Sequence, residues 1–283
     1  TGSGDNLGLA LEVDGNENVY VVGSQKANNA YIDGSSIVRI GSYLSNIYKA
    51  FILKTDSVGN LVFVQYLSLP NFTQYGLRTS QFSPVTIDII RSTLVVTENV
   101  TGSYNSFIQY YSLNGTLYST YFYPGRVIAH SILDDLGNIY LTGTFQDTVD
   151  FDPGPGVRNL VSNGWASTYI QKLNPSRSLV FAESYGGTSR KIALDGLGNI
   201  YTVGYFGQTV DFDPGIGVSN LTAFGRNTYD CFIQKLSLCT STNGIDVKSA
   251  CNSYTWINGM TYTSSNNTAT QTLTNAAGCD SVV

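Results

Sequence analysis

The chain has 283 residues, of which 15 are basic and 20 acidic, so 12% is charged, about half the roughly 25% usual in soluble domains. Twenty Tyr, 13 Phe and 29 Gly against a single Met favour strands joined by tight turns and exclude long charged helices and coiled coils. A net charge of −5 and an isoelectric point near 4.7 leave no basic footprint for nucleic acid or anionic lipid, and no apolar run approaches the ~18 residues of a spanning helix.

The first strand-like segment is Asn18-Val19-Tyr20-Val21-Val22-Gly23. A longer insert of mixed polarity follows between Ser24 and Lys49 and reads as an elaborated loop, after which Phe51-Ile52-Leu53-Lys54 and Leu61 to Tyr66 supply two further strands. The pattern returns in the same order. A degenerate copy of the first segment, Thr93-Leu94-Val95-Val96-Thr97, precedes Phe107-Ile108-Gln109-Tyr110 and Leu117 to Phe122. A clear copy, Asn138-Ile139-Tyr140-Leu141-Thr142-Gly143, precedes Tyr169-Ile170-Gln171-Lys172-Leu173 and Leu179 to Ser184. The last copy, Asn199-Ile200-Tyr201-Thr202-Val203-Gly204, precedes Phe232-Ile233-Gln234-Lys235-Leu236, with no later strand before the cysteine-bearing tail.

Two markers that keep step four times at a period near 60 residues define an internal repeat. In the fourth unit, Arg190 to Leu194 leads through the turn Asp195-Gly196-Leu197-Gly198 into Ile200 to Tyr205, where glycine can supply the positive φ of a hairpin. Large side chains on both faces of these strands require a sheet stacked between two neighbours. The expected fold is therefore all-β: a β-propeller of four-stranded antiparallel blades over 1–238, the last lacking its outer strand, closed as four blades or part of a ring completed by further residues or subunits, plus a small β-module over 239–283.

The phrases Asp-x-x-Gly-Asn-Ile-Tyr-x-x-Gly, at 134–143 and 195–204, and Thr-Val-Asp-Phe-Asp-Pro-Gly-x-Gly-Val, at 148–157 and 209–218, resemble the SBBP-type β-propeller repeat of secreted bacterial proteins. That resemblance implies a propeller and no common enzymatic activity. The tail, with Ala250-Cys251-Asn252-Ser253-Tyr254-Thr255-Trp256 and a closing Gly278-Cys279-Asp280-Ser281-Val282-Val283, resembles a Cys-x-Ser-Tyr-Thr-Trp module of large Bacteroidota-type surface proteins. This second resemblance implies type IX secretion, an extracellular or cell-surface location, and a longer parent polypeptide or a processed subunit.

Four cysteines, Cys231, Cys239, Cys251 and Cys279, all lie in the last quarter. An even count in an exported, loop-rich chain suggests disulfides. Cys251 with Cys279 is the favoured pair, because so small a module cannot hold itself by core burial alone, which leaves Cys231 with Cys239. Asp150, Asp152, Asp211 and Asp213 sit in the two repeated Asp-Phe-Asp-Pro-Gly loops. Asp before Pro-Gly is first of all turn chemistry, with calcium the alternative ligand and catalytic carboxylates a distant third. No other cofactor is implied. Ser57, Thr148 and Ser281 stand in Asp-Ser/Thr-Val triplets that resemble the O-glycosylation motif of the same bacteria.

The single histidine, His130, excludes any His-pair metal site and falls, by the repeat, on Lys191, which suggests an exposed strand position. No nucleophile elbow, phosphate loop or His-Glu-x-x-His pattern occurs. The expected function is a non-enzymatic extracellular structural or adhesive surface protein, self-associating, for instance into filaments, through its C-terminal β-segment. A carbohydrate-binding propeller that takes surface glycans is the alternative, and a propeller-type lyase or hydrolase ranks third.

Overall fold

A computed structural model describes residues 6–25, 29–32, 36–39, 49–67, 82–90, 93–100, 103–164, 166–215, 217–225, 228–237, 245–274 and 280–282. β1 (Asn6–Val13) and β2 (Val19–Gln25) come first, then a hairpin of β3 (Asn29–Ile32) and β4 (Ser36–Arg39), then β5 (Lys49–Thr55) and β6 (Leu61–Tyr66). The expected loop between Ser24 and Lys49 thus carries a hairpin of its own. β7 (Phe82–Ile90), β8 (Thr93–Val100), β9 (Asn105–Ser112) and β10 (Leu117–Pro124) follow. β11 (Arg126–Leu133) and β12 (Ile139–Phe145) lead through a small hairpin, β13 (Thr148–Asp150) and β14 (Asn159–Val161), into β15 (Ser167–Leu173) and β16 (Leu179–Tyr185). β17 (Thr188–Leu194), β18 (Ile200–Phe206), the hairpin β19 (Thr209–Asp211) and β20 (Asn220–Thr222), and β21 (Asp230–Leu236) repeat that order.

The sheets are β1-β2-β5-β6, β7-β8-β9-β10, β11-β12-β15-β16 and β17-β18-β21. Consecutive sheets pack through their leading strands, β7 against β1 and β2, β11 against β7 and β8, and β17 against β11 and β12. The protein is all-β, and these sheets are arranged like the blades of a four-bladed β-propeller. The fourth has three strands among the described residues, as the absent repeat of Leu179 to Ser184 requires.

The Asp-x-x-Gly-Asn phrase has a local cause. At 134–138, Asp134 Oδ1 accepts from the amides of Leu136 (3.0 Å) and Asn138 (2.9 Å), while Oδ2 accepts from Asn138 Nδ2 (2.7 Å) and from the Tyr140 hydroxyl (3.2 Å). Asp14, Asp56 and Asp195 hold their turns in the same way. The fourth turn residue is left-handed, supplied by Gly59, Gly115, Gly137 and Gly198, as a three-residue hairpin loop demands. At the equivalent point, Glu17 (φ 62°) and Arg177 (φ 68°) take this conformation without the freedom of glycine.

The hexad's final glycine answers to packing. A Cβ on Gly143 would lie 1.8 Å from the Val127 carbonyl oxygen, and one on Gly204 would lie 2.1 Å from that of Thr188. At this level the leading strand bulges, between Gly8 and Ala10 in the first blade and between Ile128 and His130 in the third. The second blade bulges at the same place, between Pro84 and Thr86, but the residue opposite is Glu98.

The core lies between blades. Tyr20, Val22 and Ile52 of the first blade pack with Ile87, Leu94 and Tyr111 of the second. Val95 and Ile108 of the second pack with Ile128, Leu141 and Tyr169 of the third. The second and third blades therefore each have a forward face and a backward face, buried against different neighbours.

The compact units are Thr1–Leu194 with Tyr201–Gln234, and Asp195–Ile200 with Lys235–Val283. In the second, β22 (Tyr254–Thr255) and β23 (Thr261–Tyr262) form one hairpin and β24 (Thr272–Thr274) and β25 (Asp280–Val282) another. Trp256 donates from Nε1 to Asp246 (2.9 Å), which also pairs with Lys248 (3.0 Å).

Candidate functional site

The two Asp-Phe-Asp-Pro-Gly loops are built alike. Asp150 Oδ1 accepts from the amides of Asp152 (3.0 Å) and Arg158 (2.8 Å), and Asp152 Oδ1 from Gly154 (2.7 Å). Asp211 and Asp213 repeat this with the amides of Asp213, Ser219 and Gly215. These backbone donors hold Asp150 and Asp211 below the usual carboxylate range. One oxygen of each carboxylate thus serves the turn, and among the described residues no group of three His, Cys, Asp or Glu side chains converges to hold a metal.

Between the two aspartates, Phe151 and Phe212 plug the blades. Gln171 Nε2 donates to the Phe151 carbonyl (2.6 Å) and Gln234 Nε2 to that of Phe212 (2.7 Å), so the Ile-Gln marker and the loop phrase are one physical unit. In the third blade, Arg126 completes it. Its guanidinium lies 4.0 Å from the Phe151 ring centre and 5.3 Å from that of Tyr123, and donates to Gln171 Oε1 (3.1 Å) and the Asp150 carbonyl (2.6 Å). The fourth blade has Gly187 at this register, and Tyr185 closes on Phe212 with ring centres 5.9 Å apart. Arg126 is therefore a packing element with an aromatic answer in the next repeat.

Titratable groups gather on the leading strands. Ser131 donates to Asp88 Oδ2 (3.1 Å) and shares a short hydrogen bond with Thr86, which in turn meets Thr97 (2.8 Å). Burial, helped by the charge of Glu12, pushes Asp88 up to about 7. His130 is half-buried rather than exposed, its Nδ1 has no partner, and burial beside the Lys191 charge drives it down to about 4. The repeat put His130 and Lys191 at one position but could not show that the next blade covers only the former. Ser131 and His130 are adjacent on β11 and so point to opposite faces; they form no Ser–His–Asp relay.

Glu98 is buried, neither carboxylate oxygen has a hydrogen-bond partner, and desolvation raises it to about 8. Neither Glu98 nor Asp88 was singled out from sequence. The signal for Glu98 was present, since one more residue of the degenerate hexad sets it against the glycines at 23, 143 and 204.

Cys231 and Cys251 are exposed and unpaired, whereas Cys239 and Cys279 lie outside the described residues. Ser57 and Thr148 are exposed, in a turn and at the start of β13; Ser281 stands in β25 opposite Leu273.

The surface has two features of note. At the seam of the second and third blades, a cavity of about 290 Å³ is lined by Tyr110, Tyr118, Leu136 and Arg177, with the guanidinium 4.3 Å from the Tyr121 ring centre. The larger feature is a pair of blade faces. The forward-face isoleucine is buried in three blades as Ile52, Ile108 and Ile170 (1% exposed in the last), but its fourth copy, Ile233, is 78% exposed, with Val203 at 36% beside it. On the backward face, Ile87, Ser131 and Ile192 are buried (3% for Ile87), whereas the first-blade counterpart, Leu11, is 64% exposed between the exposed Leu9 and Val13.

No protein-family model and no curated protein matches this chain. The fold is that of an all-β protein with a β-propeller-like arrangement of blades.

Proposed function

We propose that this is a non-enzymatic extracellular protein with a structural or adhesive role at the cell surface, working by self-association. The observation that carries the proposal is the pair of exposed blade faces. Ile233 and Val203, and Leu9, Leu11 and Val13, present the residue types that hold blades together, in the open. Contiguous apolar faces of this kind mark protein–protein contact. The resemblance of the repeat phrases to SBBP-type propellers and of the tail to the Cys-x-Ser-Tyr-Thr-Trp module supports an exported surface protein, with O-glycans on Ser57, Thr148 and Ser281. In the C-terminal unit, the two-stranded hairpins β22–β23 and β24–β25 keep free edges among the described residues, and a free edge can add to a neighbouring sheet.

The second reading, a carbohydrate-binding propeller, rests on the seam cavity with Tyr110, Tyr118 and Arg177, since tyrosine faces stack on sugar rings. Negative-stain imaging and sedimentation of the purified chain, run beside a glycan array, separate the two. Assembly with a blank array supports the structural role; a chain that stays monomeric and gives saturable, sugar-selective binding overturns it.

A further inference from the structure

We infer that the partner of the exposed blade faces is a second copy of this chain, docked head to tail, so that the forward face of one fourth blade seats on the backward face of the next copy's first blade. The inference rests on the self-association proposed above and adds the surfaces and their polarity.

Its warrant is continuity with contacts already made three times within the chain. At each of these junctions a forward face built on β2, β5 or their repeats meets a backward face built on the next leading strand. Forward positions are the same in kind throughout: Val22, Thr97, Thr142 and Val203 on the second strand of each blade, and Ile52, Ile108, Ile170 and Ile233 on the third. Backward positions are the aliphatic Leu11, Ile87 and Ile192, with Ser131 the polar member in the third blade. Among the described residues, the forward set left exposed is that of the fourth blade, and the backward set left exposed is that of the first. At every junction within the chain a forward face meets a backward face, so the same pairing between copies is heterologous and closes a ring or extends a filament.

Polar latching carries the same polarity. In the third blade, Thr168 Oγ1 accepts from the Ser189 amide (3.0 Å) and donates to the Gly187 carbonyl (2.9 Å) of the next blade. In the second, Ser106 Oγ accepts from the Ile128 amide (3.2 Å) and donates to the Arg126 carbonyl (2.9 Å). The fourth-blade counterpart is Cys231, an exposed thiol. Docking therefore covers Cys231, which makes its reactivity a reporter of the junction.

The test uses the full chain under reducing conditions, with Leu11→Asp and Ile233→Asp as variants. Both residues are exposed, so neither change touches the chain's own core. Sedimentation velocity across a dilution series should show wild type assembling, each variant alone monomeric, and an equimolar mixture of the two giving heterodimers and nothing larger, because one intact junction remains per pair. Maleimide labelling of Cys231 should slow at least about tenfold on wild-type assembly.

Assembly that survives in either variant, or a mixture that stays monomeric, overturns the head-to-tail contact while leaving the structural role standing. A monomeric wild type in which Cys231 is protected shows the two faces closing on each other within one chain, which overturns the second copy as partner. A monomeric wild type with freely reactive Cys231 removes both the contact and the self-association on which it rests.

Discussion

Glu98→Leu removes a carboxylate that sits where three other blades carry glycine, and its effect should depend on pH in a calculable way. In the folded protein this side chain ionises near 8, against an ordinary 4.5, because burial penalises its charged form. Between those values the unfolded chain has released a proton that the folded chain keeps. Stability therefore falls as pH rises from about 4.5, by at most about 1.4 kcal/mol per pH unit, and levels off above about 8. The accumulated cost is up to about 5 kcal/mol, comparable to the whole stability of a small domain. Even when protonated, the carboxyl leaves its oxygens unpaired, a pH-independent cost of about 1–3 kcal/mol that leucine also relieves. Denaturant unfolding of wild type and variant from pH 4.5 to 8.5 should give two curves that diverge steadily, the variant the more stable. Parallel curves, or a variant less stable at pH 8, would refute the assignment of an unpaired buried acid.

Other groups set the wild-type profile. Asp88, raised to about 7, costs stability as pH rises from 3.8, while His130, lowered to about 4, costs it as pH falls from 6.5, and the aspartates of the turns, held below 3.8, cost it below that value. With Glu98 added, the losses above pH 4.5 outweigh the His130 gain, so wild type should be most stable near pH 4 to 5 in a calorimetric pH series. Gly143→Ala should lose at least about 3 kcal/mol in denaturant unfolding, since its methyl meets a backbone oxygen, whereas Gly196→Ala, with open space around it, should stay within about 0.5 kcal/mol. Arg177→Ala forfeits the stack on Tyr110 and Tyr121 yet keeps the left-handed backbone, for a loss of about 1–2 kcal/mol, while Arg177→Gly recovers about 1 kcal/mol of that by relieving φ. Equal stabilities for the two variants would show that the backbone there carries no strain.

How far the sequence could be read follows the range of each interaction. Asp134 meets its partners within six residues, so the Asp-x-x-Gly-Asn turns and their left-handed glycines were visible as a phrase. Gln171 reaches back 20 residues to Phe151; the two markers were seen to recur together without the bond that links them. His130 was placed on an open face because nothing local says which blade faces another.

By itself the sequence determined the repeat, the turn chemistry and the two-faced strands, since period-two patterning and five-residue turns are settled by neighbours along the chain. Only the tertiary structure decided which copies of one residue are covered. Ile170 and Ile233 belong to the same phrase, and one is buried and the other exposed, because burial depends on whether another sheet lies against that face. The same holds for Glu98, whose charge became a liability only when the adjoining blades excluded water from around it.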